Sequence, residues 1–284
     1  MADAPDPLLV VGRTSFLARH TLAALGERRA RAVSHDQLDD PRLLDGVGCA
    51  VSFAKHPGIH QDGYDLERDD PDVRLARRIG ERPVRFLMLS SRKVYAPAER
   101  PLHETMPLGP SDAYGRNKLA VEQRLRALLG ERLVVLRLAN IFGFEVEPGR
   151  RTFAALLLRT LREKGQIRFD MSPFVERDFL PAERAGAIIA GLTQPLGRAL
   201  PSPLNIGSGV GLACGLLGLW VIEGYGRGEL VIERPDERDA FVLDVRRLEA
   251  LTGPVIERDG LREACRELGR RLGTQPGAMP STGR

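Results

Sequence analysis

Short apolar runs alternate with helical patterns from the first residues onward, and this order constrains the fold more than any other feature. Leu8–Val11 is an apolar run ending at Gly12, and residues 15–25 then carry apolar side chains at helical spacing. Further strands are predicted at 31–33, 49–54, 84–89 and 133–138, and helices at about 72–80 and 111–129. Strand–helix repeats with short connections form a parallel sheet covered on both faces. We therefore predict an α/β chain with a doubly wound parallel sheet.

The pattern loosens after Gly143, which predicts a second and smaller part of the molecule. We expect a loop at 56–71, helices at 152–163, 183–193, 211–224 and 260–272, and a strand at 229–232. The sequence divides into a Rossmann-type domain, residues 1–142 with 178–206, and a smaller α/β lobe, 143–177 and 207–272. Residues 273–284 are rich in Gly, Pro, Ser and Thr, and we expect a disordered tail there.

The composition excludes several classes of protein. Hydrophobic residues make up 43% and charged residues 28% of the 284 residues, as in an ordinary globular domain. No apolar run reaches the roughly 20 residues of a membrane-spanning helix, and the start lacks the basic region of a secretory signal. Cys49, Cys214 and Cys265 lie too far apart to suggest a disulfide framework or a zinc site, so we expect a cytoplasmic protein. Because no membrane-spanning run is present, we expect no membrane partner.

Arginine carries almost all of the positive charge. The net charge is only +4, and no basic stripe with interleaved aromatic residues is present, so no nucleic-acid partner is expected. Lysine occurs only at 55, 93, 118 and 164. Lys55 and Lys93 follow predicted strands, at the edge where such sheets bind ligands, and we expect one of them to contact a cofactor or substrate. Chance placement is the alternative.

The first strand–helix turn has the position of a dinucleotide-binding turn but only part of its sequence. Such a site needs glycine where the backbone turns tightly and meets the pyrophosphate, which rests on a helix N-terminus. Gly12 is present, whereas Ser15 and Ala18 occupy the later positions of a Gly-x-x-Gly-x-x-Gly pattern. An ordinary strand–helix turn is the alternative, but the location in the first unit of an α/β chain favours a dinucleotide.

A serine pair and a Tyr-x-x-x-Lys pattern predict proton and hydride chemistry. Ser90 and Ser91 end a predicted strand, and Tyr114 and Lys118 share one face of a helix. Tyrosine has a pKa of about 10, and a neighbouring ammonium favours the phenolate that acid–base chemistry needs. A surface Tyr and Lys are the alternative, which the serines and the scarcity of lysine disfavour.

These motifs resemble the extended short-chain dehydrogenase/reductases, the NAD(P)-dependent epimerases, dehydratases and reductases of nucleotide sugars. The resemblance runs from about residue 8 to residue 270. Its motifs are Leu89-Ser-Ser91-Arg-Lys-Val-Tyr95, Tyr114-x-x-x-Lys118, Leu136-Arg-Leu-Ala-Asn140-Ile-Phe-Gly143, Glu176-Arg-Asp-Phe-Leu180, Asn205-Ile-Gly-Ser-Gly209 and Arg234-Pro-Asp. It implies a homodimer formed through the helix at 111–129, an NAD(P)-binding first domain and a nucleotide-sugar substrate.

The resemblance also implies roles for individual residues. Ser91, Tyr114 and Lys118 match the catalytic triad. The expected substrate contacts are Lys93, Asn140, Arg177 and Arg234, the last three at the nucleotide diphosphate, which arginine binds well through its planar fork. The expected cofactor contacts are Gly12, Arg13, Ser15, Phe16, Leu17, His35, Phe53, Ala54, Lys55, Leu89, Tyr114, Lys118, Ala139 and Ile141.

The second strand favours NADP(H) over NAD(H). Val33 is followed by Ser34 and His35 rather than by an acid, and Arg13 lies where it could meet a 2′-phosphate. If the cofactor is NAD(H), Asp36 would bind the ribose hydroxyls instead.

The residues after Ser91 bear on the reaction type. Dehydratases of this family have an Asp-Glu pair there, which supplies the acid and base that eliminate water, but this chain has Arg92 and Lys93. We therefore expect reduction of a 4-ketosugar or 4-epimerisation and not dehydration. A reductase of another carbonyl substrate and a non-catalytic dinucleotide-binding regulatory protein are the alternatives. The histidines at 20, 35, 56, 60 and 103 show no metal-binding spacing, so we expect no metal, and solvated or loop positions for all five.

Overall fold

The computed structural model describes residues 8–26, 30–99, 101–146, 152–195, 199–235 and 239–275. Its strands are β1 (Leu8–Val11), β2 (Ala30–Val33), β3 (Cys49–Ser52), β4 (Arg85–Ser91), β5 (Leu133–Leu138), β6 (Asn140–Phe142), β7 (Gln166–Phe169), β8 (Glu176–Pro181), β9 (Leu204–Ile206), β10 (Gly211–Ala213) and β11 (Glu229–Ile232). Its α-helices are α1 (Phe16–Leu25), α2 (Leu66–Asp69), α3 (Pro71–Ile79), α4 (Ala113–Leu129), α5 (Phe153–Lys164), α6 (Ala182–Leu192), α7 (Cys214–Tyr225), α8 (Arg246–Thr252) and α9 (Arg258–Gly273). Short 3-10 helices lie at His35–Asp39, Pro57–His60, Arg92–Val94 and Gly130–Arg132.

The main sheet has six parallel strands in the order β2-β1-β3-β4-β5-β9. The strand order reverses at β1, which pairs with β2 on one side and β3 on the other. All four residues of β1 are buried, because both faces of the sheet are covered. These features confirm the predicted doubly wound Rossmann-type sheet. They also direct attention to the carboxyl ends of β1, β3, β4 and β5, where ligands bind in such sheets.

Helix α4 begins and ends where its sequence predicts. The Asp112 carboxylate accepts a hydrogen bond from the Gly115 amide at 2.8 Å and caps the first turn. At the other end Gly130 adopts a φ of +56°, which side chains disfavour. Because both ends are fixed, the first turn of α4 has a defined position at the sheet edge.

Two smaller sheets, β10-β8-β6 and β11-β7, lie outside the main sheet. They share an apolar core with α5, α7 and α9, including Leu158, Phe179 and Val221, all fully buried. The predicted division into two lobes is compatible with these sheets and stays a prediction. No described helix is both long and apolar enough to cross a membrane.

Asp178 explains why two of the sequence motifs occur together. Its buried carboxylate accepts hydrogen bonds of 2.7–3.1 Å from the amides of Ser208, Gly209 and Leu243 and from the Ser208 hydroxyl. Burial raises the pKa of Asp178, and the four bonds oppose that rise. The Glu176–Leu180 and Asn205–Gly209 motifs are therefore held together by hydrogen bonds to Asp178, which is a structural role.

Several elements differ from the sequence predictions. The helix predicted at 211–224 is strand β10 followed by α7, and the loop predicted at 56–71 contains α2 and a 3-10 helix. Strands β6 to β10 and helix α8 were not predicted, because these short segments mix polar and apolar residues and lack a continuous apolar run. In the predicted disordered tail, Gly273 is the last residue of α9, and residues 276–284 lie outside the described residues.

Candidate active site

The carboxyl ends of β4 and β5, the segment after β3, the start of β6 and the first turn of α4 surround a cavity of about 520 Å³. Its walls are formed by Lys55, His60, Ser91, Arg92, Lys93, Asp112, Ala113, Tyr114, Leu138, Ala139, Asn140 and Thr152. A second cavity of about 530 Å³, between α6 and α9, contains none of the predicted site residues. The first cavity is therefore the candidate active site, because polar and titratable side chains converge there.

Lys118 lies buried directly behind Tyr114. Its ammonium donates a hydrogen bond of 2.9 Å to the carbonyl of Leu89 near the end of β4. Burial alone would lower the pKa of Lys118, but Tyr114, the acids at 70 and 72 and Glu122 raise it above its usual value. Lys118 thus stays charged beneath a tyrosine that reaches the cavity, as the Tyr-x-x-x-Lys spacing predicts.

Asp72 is a buried acid near Lys118 that the sequence did not reveal. It is 1% exposed, and its Oδ1 has no hydrogen-bond partner. Burial and the nearby Asp70 raise the pKa of Asp72 to about 7, while Lys118 and Ser52 oppose the rise. The polar stretch around α2 and α3 gave no sign of it, because only the tertiary fold brings this carboxyl near Lys118.

The serine and the lysine that follow β4 are held by local bonds. Ser91 Oγ accepts a hydrogen bond of 3.2 Å from the Lys93 amide, which leaves the hydroxyl hydrogen free to donate. The Lys93 ammonium forms an ion pair with Asp112, the cap of α4. Burial alone would raise the Asp112 pKa, but the bonds from Lys93 and the Gly115 amide lower it, so Asp112 stays ionised.

His60 is a site residue that the sequence analysis did not identify. It was expected in a solvated or loop position, but its ring stacks on Tyr114 with the centroids 4.7 Å apart and the planes at 16°. Its Nε2 is 3.3 Å from Lys55 Nζ, and that ammonium lies 5.8 Å from the Tyr114 ring centroid. The Asn117 amide holds the loop by donating to the carbonyls of Ile59 and Gln61, each at 2.9 Å. A spacing of more than 50 residues hides this contact from pattern analysis.

The other histidines do not form a metal site. The described residues contain no group of three or more His, Cys, Asp or Glu side chains that could hold a metal ion. His20 packs edge-on against Phe16 with the ring centroids 4.8 Å apart.

The turn after β1 fits a dinucleotide. Gly12 has a φ of +83°, and a Cβ there would lie 2.9 Å from the Ala54 amide nitrogen and 3.0 Å from the Phe53 carbonyl carbon. Glycine is thus required for the close approach of the two strand ends. No side chain caps the N-terminus of α1 after Ser15, so its first amides are available to a phosphate.

The remaining expected cofactor residues surround this turn. Leu17 and Phe53 are buried in the core, so their backbone atoms are what a ligand could reach. Arg13 and His35 are exposed, Ala54 and Ile141 are half-buried, and Ala139 lines the cavity. The Asp36 carboxylate is exposed, and a hydrogen bond from Ser34 lowers its pKa.

Arg177 and Arg234 do not line the cavity. Arg177 donates through Nε to the carbonyl of Asp239 at 3.1 Å, close to the Arg92–Asp239 ion pair. Arg234 is exposed and lies 3.7 Å from the carboxylate of Asp170. Of the expected substrate residues, Lys93 and Asn140 thus line the same cavity as Tyr114, whereas the two arginines do not line it.

Buried side-chain bonds connect α4 to the strands β4 and β5. Arg137 in β5 donates to Glu122 in α4 at 2.7 Å, and both side chains are almost completely buried. Ser90, next to Ser91, donates to the same carboxylate. This bond network fixes the strand end that carries Ser91 against the helix that carries Tyr114.

Comparison with known proteins supports the assignment of the fold. Residues 72–207 match the family model described as the NAD dependent epimerase/dehydratase family, whereas no curated protein sequence matches the chain. The fold is similar to that of MoeE5 in complex with UDP-glucuronic acid and NAD, with a TM-score of 0.77 and 20% identity over 93% of this chain and 99% of that one.

Two further solved structures are similar. TunA, an NAD-dependent NDP-hexosamine 5,6-dehydratase of tunicamycin biosynthesis, has a TM-score of 0.74 and 18% identity over 94% of this chain and 98% of its own. RMD from Pseudomonas aeruginosa, complexed with NADPH, has a TM-score of 0.73 and 21% identity over 94% of this chain and 99% of its own. At these identities the likeness shows the fold alone.

Proposed function

By the match over residues 72–207 this enzyme belongs to the NAD dependent epimerase/dehydratase family, and we propose that it reduces or epimerises a nucleotide-activated sugar. The family predicted from the motifs is confirmed by this match. Within the family, the proposed reaction is reduction of a 4-ketosugar or 4-epimerisation, not dehydration.

One observation carries this proposal: Tyr114 is the cavity residue best suited to exchange a proton. Among the described residues of the cavity wall, Asp112 is the one carboxylic acid, and both its oxygens are engaged by Lys93 and the Gly115 amide. His60 Nε2 accepts from Lys55, because an ammonium can only donate. A dehydration needs a further acid and base, and the described residues of this wall offer no free pair.

The side chains divide the work as follows. The Ser91 hydroxyl donates to the reacting oxygen of the sugar and orients it. Tyr114 gives a proton to that oxygen or takes one from it, and the buried Lys118 ammonium stabilises the phenolate. A dinucleotide whose diphosphate is held at the Gly12 turn would supply or accept the hydride through its nicotinamide. Leu89 positions Lys118 through its carbonyl.

Finer ligand assignments belong to the same proposal. Arg13 is exposed beside the end of β2 and suits a 2′-phosphate, which supports NADP(H) over NAD(H). Arg177 and Arg234 are proposed to bind the nucleotide diphosphate as the substrate closes the outer part of the site. A homodimer, a cytoplasmic location and the two-lobe division stay predictions.

Incubation with nucleotide sugars and 4-ketosugars, followed by mass spectrometry, tests the reaction. A gain of two hydrogens with consumption of NADPH indicates reduction, and an isomer of unchanged mass indicates epimerisation. Loss of one water would contradict the proposal. Turnover of simple carbonyl compounds but not of sugars would instead favour the other reductase, and cofactor binding without turnover would favour a regulatory protein.

A further inference from the structure

Lys55 differs from the other cations of the cavity wall in its partners. Arg92 forms an ion pair with Asp239, and Lys93 with Asp112. Within the described part of the chain, Lys55 has no carboxylate partner, and its ammonium contacts the neutral ring of His60. Among the described residues, Lys55 is thus a cation of the cavity wall whose charge no carboxylate balances.

His60 holds that charge at a fixed position. The ring is stacked on Tyr114, and its loop is bonded to Asn117 on both sides of the histidine. Partial burial and the positive charges of Lys55, Lys93 and Lys118 lower the His60 pKa, and Asp112 opposes them. A neutral His60 accepts a hydrogen bond from Lys55 without cancelling its charge.

The position of Lys55 points to the reacting sugar and not to either diphosphate. Its ammonium lies 5.8 Å from the centre of the Tyr114 ring, and it shares the cavity wall with Ser91 and Asn140. The cofactor phosphates are expected at the Gly12 turn, which contacts the backbone of Ala54 next to Lys55, whereas the Lys55 ammonium reaches His60 and the Tyr114 ring. Arg177 and Arg234, proposed for the substrate diphosphate, lie outside this wall.

The charge of the wall favours an anion. In the described part of the wall, Lys55, Arg92 and Lys93 face the cavity together with one carboxylate, Asp112, and Lys118 lies just behind it. Desolvation and repulsion by Lys118 lower the Lys55 pKa although the side chain is exposed, and an anionic ligand would offset the repulsion. A sugar carrying only hydroxyl groups would leave this cation unpaired.

We propose that the substrate sugar bears a carboxylate and that Lys55, held by His60, binds it. The enzyme then acts on a nucleotide-linked sugar acid. This inference rests on the proposed function, and it moves Lys55 from the cofactor contacts to the substrate contacts.

Calorimetry on the full chain, saturated with oxidised cofactor, tests this with nucleotide sugars that differ only in a C6 hydroxymethyl or carboxylate group. The probes are UDP-glucose and UDP-glucuronate, GDP-mannose and GDP-mannuronate, and dTDP-glucose and dTDP-glucuronate. We expect the acid to bind about tenfold to hundredfold more tightly in at least one pair, the range for one charge-assisted bond. Lys55→Gln should remove that preference, and Lys55→Arg should retain part of it.

Two further variants separate the local effect from general charge. Lys164→Gln removes a lysine at the exposed end of α5, and it should keep the preference for the acid. His60→Phe keeps a ring to stack on Tyr114 but loses the acceptor, and it should weaken the preference several-fold, by less than the tenfold or more expected for Lys55→Gln.

The outcomes distinguish the two levels of the proposal. Equal binding of acids and neutral sugars, or an equal loss for both in Lys55→Gln, overturns the carboxylate and leaves the proposed function standing. Failure of all six probes to bind overturns the proposed function, and the carboxylate inference falls with it.

Discussion

The Tyr114 ring packs against His60, and its hydroxyl is proposed to exchange a proton. Removing the hydroxyl oxygen alone therefore separates the chemical role from the packing role. Tyr114→Phe retains the ring that stacks on His60, so the loop at 57–60 should stay in place. The hydroxyl that is proposed to exchange the proton is lost. We expect turnover to fall by about 10²–10⁴, the usual range for a lost acid or base, with cofactor affinity unchanged.

Steady-state kinetics and cofactor titration check this expectation. Tyr225→Phe is the matched control, since its hydroxyl contacts Arg227 far from the cavity, and it should keep wild-type turnover. Undiminished turnover in Tyr114→Phe would remove Tyr114 from the mechanism.

Asp72 gives the enzyme a pH-dependent stability. Its pKa rises from an ordinary value of 3.8 to about 7 on folding, so the native state binds the proton more tightly than the unfolded state. This stabilisation is complete below about pH 4 and is lost as the pH rises through about 7. Asp72→Asn lacks a titrating group and should gain stability relative to wild type between about pH 5 and 8, on the order of 2 kcal/mol.

Urea unfolding of both proteins at several pH values measures that difference. A constant gap between the two curves would show that Asp72 titrates normally. Asp62→Asn, at an exposed acid paired with Arg116, is a suitable control and should leave the pH profile unchanged.

Single residues were predictable where the chemistry is local. Tyr114 and Lys118 are one helical turn apart, so their shared face follows from helix geometry alone. His60 and Asp72 reach the same cluster from a loop and from a separate helix, and no local spacing connects them to Tyr114. The glycine at 12 was predictable as a turn, but its contact with Ala54 became visible only in the fold.

At the scale of elements, the buried Glu122–Arg137 pair links α4 to the main sheet. Glu122→Gln would leave the Arg137 charge buried without compensation. Breaking a buried pair by removing one partner typically costs about 3–5 kcal/mol of unfolding free energy. We expect a loss of that order in urea unfolding.

The exposed Arg270–Glu263 pair on α9 provides the comparison. Glu263→Gln should cost at most about 1 kcal/mol, because solvent screens that pair. Equal effects of the two substitutions would mean that Glu122 does not fix α4.

The prediction of elements succeeded where apolar runs are continuous. β1 and β5 have the predicted bounds, and α4 starts one residue after its cap. β6 and β10 have only three residues each and gain their strand geometry from pairing with β8. The periodicity of these three-residue segments does not specify a strand, so the β10-β8-β6 sheet was not predicted.

For the whole molecule, cofactor choice is a testable consequence of the β1 and β2 ends. We expect NADPH to bind more tightly than NADH, since Arg13 is available for a 2′-phosphate and no acid directly follows Val33. Arg13→Ala should weaken NADPH binding by about tenfold to hundredfold and leave NADH binding unchanged. Dissociation constants from fluorescence titration decide this, and a preference for NADH would assign the ribose to Asp36.

The predicted homodimer through α4 can be compared with the surface of that helix. None of the large apolar side chains found exposed in the described residues, Leu108, Leu156, Phe174 and Leu219, lies on α4. Arg116 instead pairs with Asp62, and Arg124 pairs with Glu67. An interface there would consist of charged groups, so we expect the dimer to weaken at high salt. Sedimentation equilibrium at low and high salt measures this, and a monomer under both conditions contradicts the prediction.

The placement of the lysines makes the enzyme suitable for chemical labelling. Three of its four side-chain amines lie at the cavity, and one of these, Lys118, is shielded by burial. An acylating reagent should therefore modify Lys55, Lys93 and the exposed Lys164. Bound substrate would protect the first two and spare the third as an internal standard. Peptide mass mapping of partly acylated protein would then report occupancy of the active site directly, without a coupled assay and before the product is known.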